Sequence, residues 1–306
     1  LHQISQDFQN LPCKKIISLM DLDAYGTQQY QINIINSIDA HLIFFGKGFS
    51  KENSQLDRLQ DEEFYKRKRA KGHNIGLFHD FALKNEVRTI NIGHFINIEE
   101  FHSSLLLNRK YITDVPGQQY IRRQEATAIL SKNKIAVKSN FHKKLYSLLV
   151  KLGFNPFGNY TLNRLYNLIF QEKIFGAKYI YTEGSGYDRP IRKFFEIPAA
   201  KSILITTPCA GFEDLGFIDG ENSVVSEPDT ILEKINFLEK NPLIAQNIAS
   251  NGYQLIWKKH SITARSKQLN NALELIKNDN FFGSYWEKGE FKIKTRVQKC
   301  VVSSAE

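Results

Sequence analysis

Cysteine is scarce in this chain. Cys13, Cys209 and Cys300 are odd in number, far apart and in no Cys-x-x-Cys pair, which speaks against both a disulfide framework and a cysteine-built zinc site. Such usage fits a reducing, cytoplasmic setting. Long apolar runs are also missing: none reaches the roughly 18 residues that a membrane-spanning helix needs. The opening segment LHQISQDFQNLPCKK has no apolar core of the secretory kind. It has no initiator Met either, so the sequence reads as a fragment or a processed chain. No zinc finger, aromatic-basic strand signature or coiled-coil basic region is there to read nucleic acid by sequence.

What is there is an ordinary globular composition, 42% hydrophobic and 24% charged over 306 residues. That length suggests two domains of about 150 residues each. The net charge of +9 favours anionic partners such as phosphates or a membrane surface. Much of the excess is local, in YKRKRAKGH (65–73) and FHKKL (141–145). Such runs read first as solvated helix faces, and peripheral contact with a membrane is their second use.

Strand-like apolar runs alternate with amphipathic stretches. KKIISLM, AHLIFFG, RKYITDV, KIAVKS, AKYIYTEG and SILITT read as strands. Between them TQQYQINIINSI, QQYIRRQEATAILSKN, LNRLYNLIFQEKIF and IRKFFEI read as helices. This order predicts an α/β protein with parallel sheets covered by helices. After Gly220 the chain reads as helical nearly throughout, with breaks at Pro242, at an SNG turn over 250–252 and at HSIT from 260. Ser261 or Thr263 is placed to cap the last helix. The expected division is a partial first domain over 1–107, a second over 108–278, and a tail, 279–306, with no assigned structure.

The chemistry concentrates in YTEGSGYDRPIRKFFEIPAAKSILITTPCAGFEDLGFIDGENSVV, 181–225. A strand ends in a loop whose Gly184 and Gly186 let backbone amides approach a ligand. A helix follows, with Pro190 suited to its first turn and an N-terminus suited to phosphate. Pro198 predicts a kink or an early stop just after Glu196. The next strand delivers Gly211, Phe212 and Glu213 to its carboxyl end, where open sheets bind ligands. Phe194 and Phe195 read as core. Arg192 lies one turn before Glu196, either as a phosphate ligand or as its ion-pair partner. In MDLDAYG, Asp21 and Asp23 follow a strand. Two carboxylates without further ligands are a thin metal site, so no metal is assigned to them.

In order and spacing, 181–225 resembles the donor-binding half of group 1 glycosyltransferases, and within them the spore-maturation-protein-like branch. GFEDLGFIDGENSVVSEPDTILEKINFL and NIASNGYQLIWKKHSITARSKQLNNAL resemble the family's closing segments, and YITDVPGQQYIRRQEATAIL resembles its opening strand, glycine loop and arginine-bearing helix. The likeness covers 105–278 well and 11–105 weakly. It implies a GT-B-like fold of two doubly wound (Rossmann-like) domains, here with the N-terminal one apparently incomplete. The family's mark is an acid, seven residues, then Glu; Asp188 and Glu196 have that spacing, with Asp where Glu is usual.

By resemblance Glu196 binds the ribose of a nucleotide, and Asp188, or its rival Glu183, faces the donor sugar as catalytic residue. Gly117 gives a turn, and Arg122, Arg123 and Arg192 are candidates for the phosphates. Asp21, Asp23 and His94 fall on the acceptor side. The implied activity is sugar transfer from a nucleoside diphosphate donor to a glycan, lipid or protein acceptor, retaining and metal-independent, with no cofactor beyond the donor. A non-catalytic nucleotide-sugar-binding or scaffold protein with a decayed acceptor domain is the alternative.

Overall fold

The structure is a computed structural model that describes residues 10–19, 28–45, 81–117, 120–135, 148, 151, 160–184 and 190–296. Two parallel sheets carry it. The first holds β1 (Ile16–Leu19), β2 (His41–Phe45) and β3 (Thr89–Ile92), in that order, with α1 (Gln28–Asn36) between β1 and β2. Ile17, Leu19, Ile35, Leu42 and Phe44 form its core. All four residues of β3 are buried, as expected of a strand covered on both faces.

The second sheet holds β4 (Tyr111–Asp114), β5 (Ala177–Thr182), β6 (Ile203–Thr206) and β7 (Val224–Val225), all parallel and in chain order. Side chains alternate across it. Tyr179, Tyr181, Ile203 and Ile205 pack with α2 (Ile121–Lys132), α5 (Ile231–Lys240) and α6 (Pro242–Leu255). On the other face Ile180 and Leu204 meet Phe194 and Phe195 of α4 (Lys193–Ala199), Ile174 of α3 (Tyr160–Gly176), and Phe217. Phe194 and Phe195 are fully buried, each contributing about 1.5–3 kcal/mol by leaving water. The chain then passes through a π-helical turn, Ile256–His260, into α7 (Ile262–Lys277). Ser261 caps α7, its side chain accepting from the Ala264 amide at 3.3 Å.

Three local expectations change and one holds. SNG is not a turn: α6 runs unbroken through 250–252, because Gly252 serves packing. A Cβ there would lie 2.7 Å from the Asn222 carbonyl oxygen. The helix after the glycine loop begins at Lys193, three residues beyond Pro190. The early stop expected from Pro198 is there: the helix ends one residue after it, with Lys201 at φ 56°. The tail is not structureless: β8 (Phe281–Glu287) and β9 (Glu290–Thr295) form an antiparallel hairpin. Its two-residue turn, Lys288-Gly289, has φ of 49° and 78°, the positive pair of a type I′ turn. KIAVKS lies almost wholly outside the described residues.

The hairpin and the start of α7 tie the halves together. The Trp286 indole N–H donates to the Asn91 carbonyl of β3 at 2.8 Å. Arg265 lies over the Trp286 ring at 4.6 Å and donates to the carbonyls of Gly93 (3.0 Å) and His94 (2.8 Å), just past β3. It also donates to His260 Nδ1 at 2.7 Å, and His260 Nε2 donates to the Leu215 carbonyl at 2.8 Å. Burial pushes the Arg265 pKa down to about 9, so it stays charged at neutral pH. Among the described residues no helix is long and apolar enough to cross a membrane.

Candidate functional site

Parallel pairing puts the carboxyl ends of β4, β5, β6 and β7 on one edge. The segments leaving them are Val115–Gly117, Glu183–Gly184, Thr207 onward and Ser226 onward. This is the edge at which open α/β sheets take ligands. It is polar beyond what its own contacts satisfy. The hydroxyls of Thr113, Tyr181, Thr182 and Thr207 are buried and have no hydrogen-bond partner among the described residues. Buried polar groups ordinarily have partners, so such hydroxyls mark places for polar ligand atoms or water. Burial raises the Tyr181 phenol's pKa, with Glu183 and Glu227 adding to it.

Gly117 forms a tight corner. It sits at φ 103°, and a Cβ there would lie 2.8 Å from Lys193 Cε, 2.9 Å from Lys193 Nζ and 3.2 Å from Arg123 Nη1. Two cations, one from each of α2 and α4, therefore converge over one glycine backbone. Arg123 is 1% exposed; it lies over the Tyr120 ring at 5.3 Å and donates to the Glu183 carbonyl at 3.1 Å. Its Nε is 3.8 Å from Glu183 Oε1. Burial pushes the Arg123 pKa down, and Glu183 opposes that. Glu183 is thus a buried neighbour of Arg123. Arg122 instead lies at the surface, 3.9 Å from Glu227, a pair of little energetic weight.

A cavity of about 420 Å³ begins one ring away. Lys193 Nζ lies 5.6 Å from the centre of the Phe170 ring, and Phe170 lines the cavity together with Phe175, Gln171, Asn97, Glu100, Arg192 and Glu196. Glu196 accepts from Arg192 Nε at 2.8 Å, and Arg192 Nη2 donates to Glu100 at 2.5 Å. Of the two readings of Arg192, the ion pair with Glu196 is the one its geometry shows. Burial raises the Glu196 pKa; Arg192 and then Lys193 oppose it, and Glu100 adds to it.

The remaining candidates scatter. Gly184 and Gly211 are buried at the edge and Glu213 is exposed. Phe212 stacks on Phe217 at 5.2 Å and belongs to the core, so its ring packs inward. His94 follows β3, its ring 6.0 Å from that of Phe195. Asp21, Asp23, Gly186 and Asp188 lie outside the described residues, as do both basic runs. Among the described residues no group of three or more His, Cys, Asp or Glu could hold a metal ion. Sequence reading missed Lys193, although it adjoins Arg192, and missed Glu100 and Phe170, which carry no signal of their own. It also missed the buried pair Lys173 and Asp114, 3.9 Å apart beneath the edge.

A family model described as "Glycosyl transferase-like" matches residues 160–271, which span α3 to most of α7. Comparison with curated proteins gave no match. Among solved structures, Anabaena HepE in complex with UDP-glucose superposes with a TM-score of 0.52 at 12% identity, covering 85% of this chain and 72% of that one. HepE with UDP and glucose gives 0.51 at 13%, covering 85% and 71%. Sucrose-phosphate synthase of Thermosynechococcus elongatus gives 0.49 at 13%, covering 83% and 72%. The chain has the GT-B fold.

Proposed function

We propose that the chain transfers a sugar from a nucleoside diphosphate donor, with the carboxyl edge of the second sheet as its donor site. One observation carries this: Arg123 and Lys193 converge over Gly117, one aromatic ring from the cavity that holds Glu196. In this reading the diphosphate lies against Gly117 and the two cations, with the orphaned hydroxyls as further partners. Glu196 accepts from the ribose, and the nucleoside fills the 420 Å³ cavity, a size within the ordinary ligand range. The sugar points toward Glu183, Gly184 and the segment that holds Asp188. The family match over 160–271 and the UDP-glucose held by HepE support the donor class.

The chemistry asked of such a site is placement and charge stabilisation. The bond from the sugar's anomeric carbon to the diphosphate oxygen breaks, and the leaving diphosphate takes the electron pair. An acceptor hydroxyl forms the new bond and gives up its proton. In this reading Arg123 and Lys193 hold the charge that develops, without a metal; their approach over Gly117 supports it. The transfer is retaining, of the kind the spore-maturation-protein-like branch suggests. The acceptor, a glycan, lipid or protein, enters from the first sheet, where Asp21 and Asp23 follow β1 and His94 follows β3. The alternative is a binding module without turnover.

A thermal-shift screen of nucleoside diphosphates and their sugars tests the donor class, since a ligand of the folded state raises the melting point. A shift with UDP or a related diphosphate is expected, followed by slow hydrolysis of the matching donor sugar that survives excess chelator. Binding with no turnover would favour the binding module. Loss of turnover on chelation, restored by manganese or magnesium, would overturn the metal-independent mechanism.

A further inference from the structure

Glu100 does not belong to either sheet. It ends a short 3₁₀ helix, Ile98–Glu100, on the segment that joins them. Its Oε1 accepts the Asn97 amide at 3.0 Å, closing a capping box that fixes the carboxylate in place. Its Oε2 accepts Arg192 Nη2 at 2.5 Å. The same guanidinium gives Nε to Glu196 Oε1 at 2.8 Å. One positive charge therefore serves two carboxylates from different parts of the chain, both lining one cavity.

We infer that Glu100 is a positioning residue for Glu196: by holding the far side of Arg192 it sets how much of that guanidinium the donor-site carboxylate keeps. The inference rests on the proposed role of Glu196 toward the donor. Its physical basis is competition. A nearby opposite charge favours an ionised carboxylate, and a nearby like charge disfavours it. Glu100 does both to Glu196, adding a negative charge and drawing off a positive one. Among the described residues, the other charged groups at this site are Lys193 of its own helix, which acts on Glu196, and Glu99 of the 3₁₀ helix, which lines the same cavity. The α3 residues lining the cavity, Phe170, Gln171, Ile174 and Phe175, are not ionisable. Lys193 and Glu99 stay in place in every variant below. Because Glu100 sits on the joining segment, any shift of that segment moves Arg192, and the ionisation and reach of Glu196 follow.

Opposite signs make the test. The full chain is labelled with ¹³C-carboxyl glutamate. The Glu196 signal, identified by its loss in Glu196→Gln, is titrated in wild type, Glu100→Gln and Arg192→Gln, and UDP affinity is followed over the same pH range. Glu100→Gln is expected to lower the Glu196 midpoint, and Arg192→Gln to raise it, each by about one pH unit. The acid limb of UDP binding should move with it, since only the ionised carboxylate accepts from two ribose hydroxyls. Arg192→Lys, which keeps the charge, should restore most of the wild-type midpoint, and it stands in if Arg192→Gln does not fold. A Glu100→Gln midpoint that stays put or rises would overturn the inference. Shifted midpoints with UDP bound equally well at every pH would do so too, leaving the pair merely structural. Shifts of the expected signs in a chain that binds no UDP would instead remove the donor reading, and with it the role given to Glu100.

Discussion

His260 and Arg265 are buried side chains that each complete the other's hydrogen bonding. His260 donates from Nε2 to Leu215 and accepts at Nδ1 from Arg265, so the neutral ring is the one the site holds. Burial, reinforced by Arg265, pushes its pKa well below 6.5. The sign follows: in acid the unfolded chain takes up a proton here that the folded chain refuses. Stability from this residue is whole above about pH 6.5 and is lost as pH falls below it. His260→Gln should cost stability at pH 7.5, and the gap to wild type should narrow steadily from pH 6.5 downward in urea melts. A gap that is constant with pH would contradict the neutral buried ring. Asp214 works the other way. Burial, with Glu213 and Glu287, raises its pKa to about 6, so its own contribution grows on acidification through that value. The sequence offers eight histidines and no local signal that His260 is the one buried against an arginine. Its partners come from five residues and 45 residues away along the chain. Glu196 stands out in the sequence through a local pattern, a glycine loop, an acid spacing and a helix within one stretch; its cavity neighbours Glu100 and Phe170 come from distant segments and leave no such mark.

Helix ends and helix contacts decide the next scale. α4 closes with the Ser202 amide on the Ile197 carbonyl and the Lys201 amide on Pro198, the paired bonds of a Schellman motif. Its left-handed position is Lys201, where glycine is usual. Lys201→Gly should therefore stabilise the chain by about 1 kcal/mol, the left-handed strain exceeding the loss of an exposed cation–π contact with Tyr253. Gly252→Ala should do the reverse. An exposed helical glycine gains about 1 kcal/mol on becoming alanine. Here the new methyl meets the Asn222 carbonyl oxygen at 2.7 Å and Pro198 Cβ at 3.1 Å, and overpacking of that kind costs about 1–3 kcal/mol. Both are read as shifts in urea midpoint at constant slope; a stabilised Gly252→Ala would contradict the close packing of α6 on α4. The alternation of strands and helices was legible because period and loop length are local. SNG misled because a glycine is the same letter in a turn and in a tight contact. The hairpin was legible in principle from Lys-Gly between two aromatic alternating runs. Its packing partners, Asn91 and Arg265, lie in distant segments.

The two sheets of the molecule are not independent. Trp286 of the hairpin shares a core cluster with Phe195 and Phe217 of the second half while its indole N–H donates to β3 of the first. Arg265 and Glu100 add further ties from the start of α7 and from the joining segment. The edge of the second sheet thus belongs to a half that is tied to the first at several points. The division expected at 107/108 falls inside a 3₁₀ turn, Leu106–Asn108, whose Leu106 already packs in the core of the second sheet, and the hairpin bonds back to β3. The central claim is that this edge binds a nucleoside diphosphate through Glu196, and calorimetry of UDP with the full chain and with Glu196→Gln tests it most directly. The variant keeps the side-chain shape and loses charge-assisted hydrogen bonds worth about 1.5–3 kcal/mol, so the dissociation constant should rise at least about tenfold at pH 7.5 with the melting point unchanged. An equal dissociation constant for the two proteins, both folded, would contradict it.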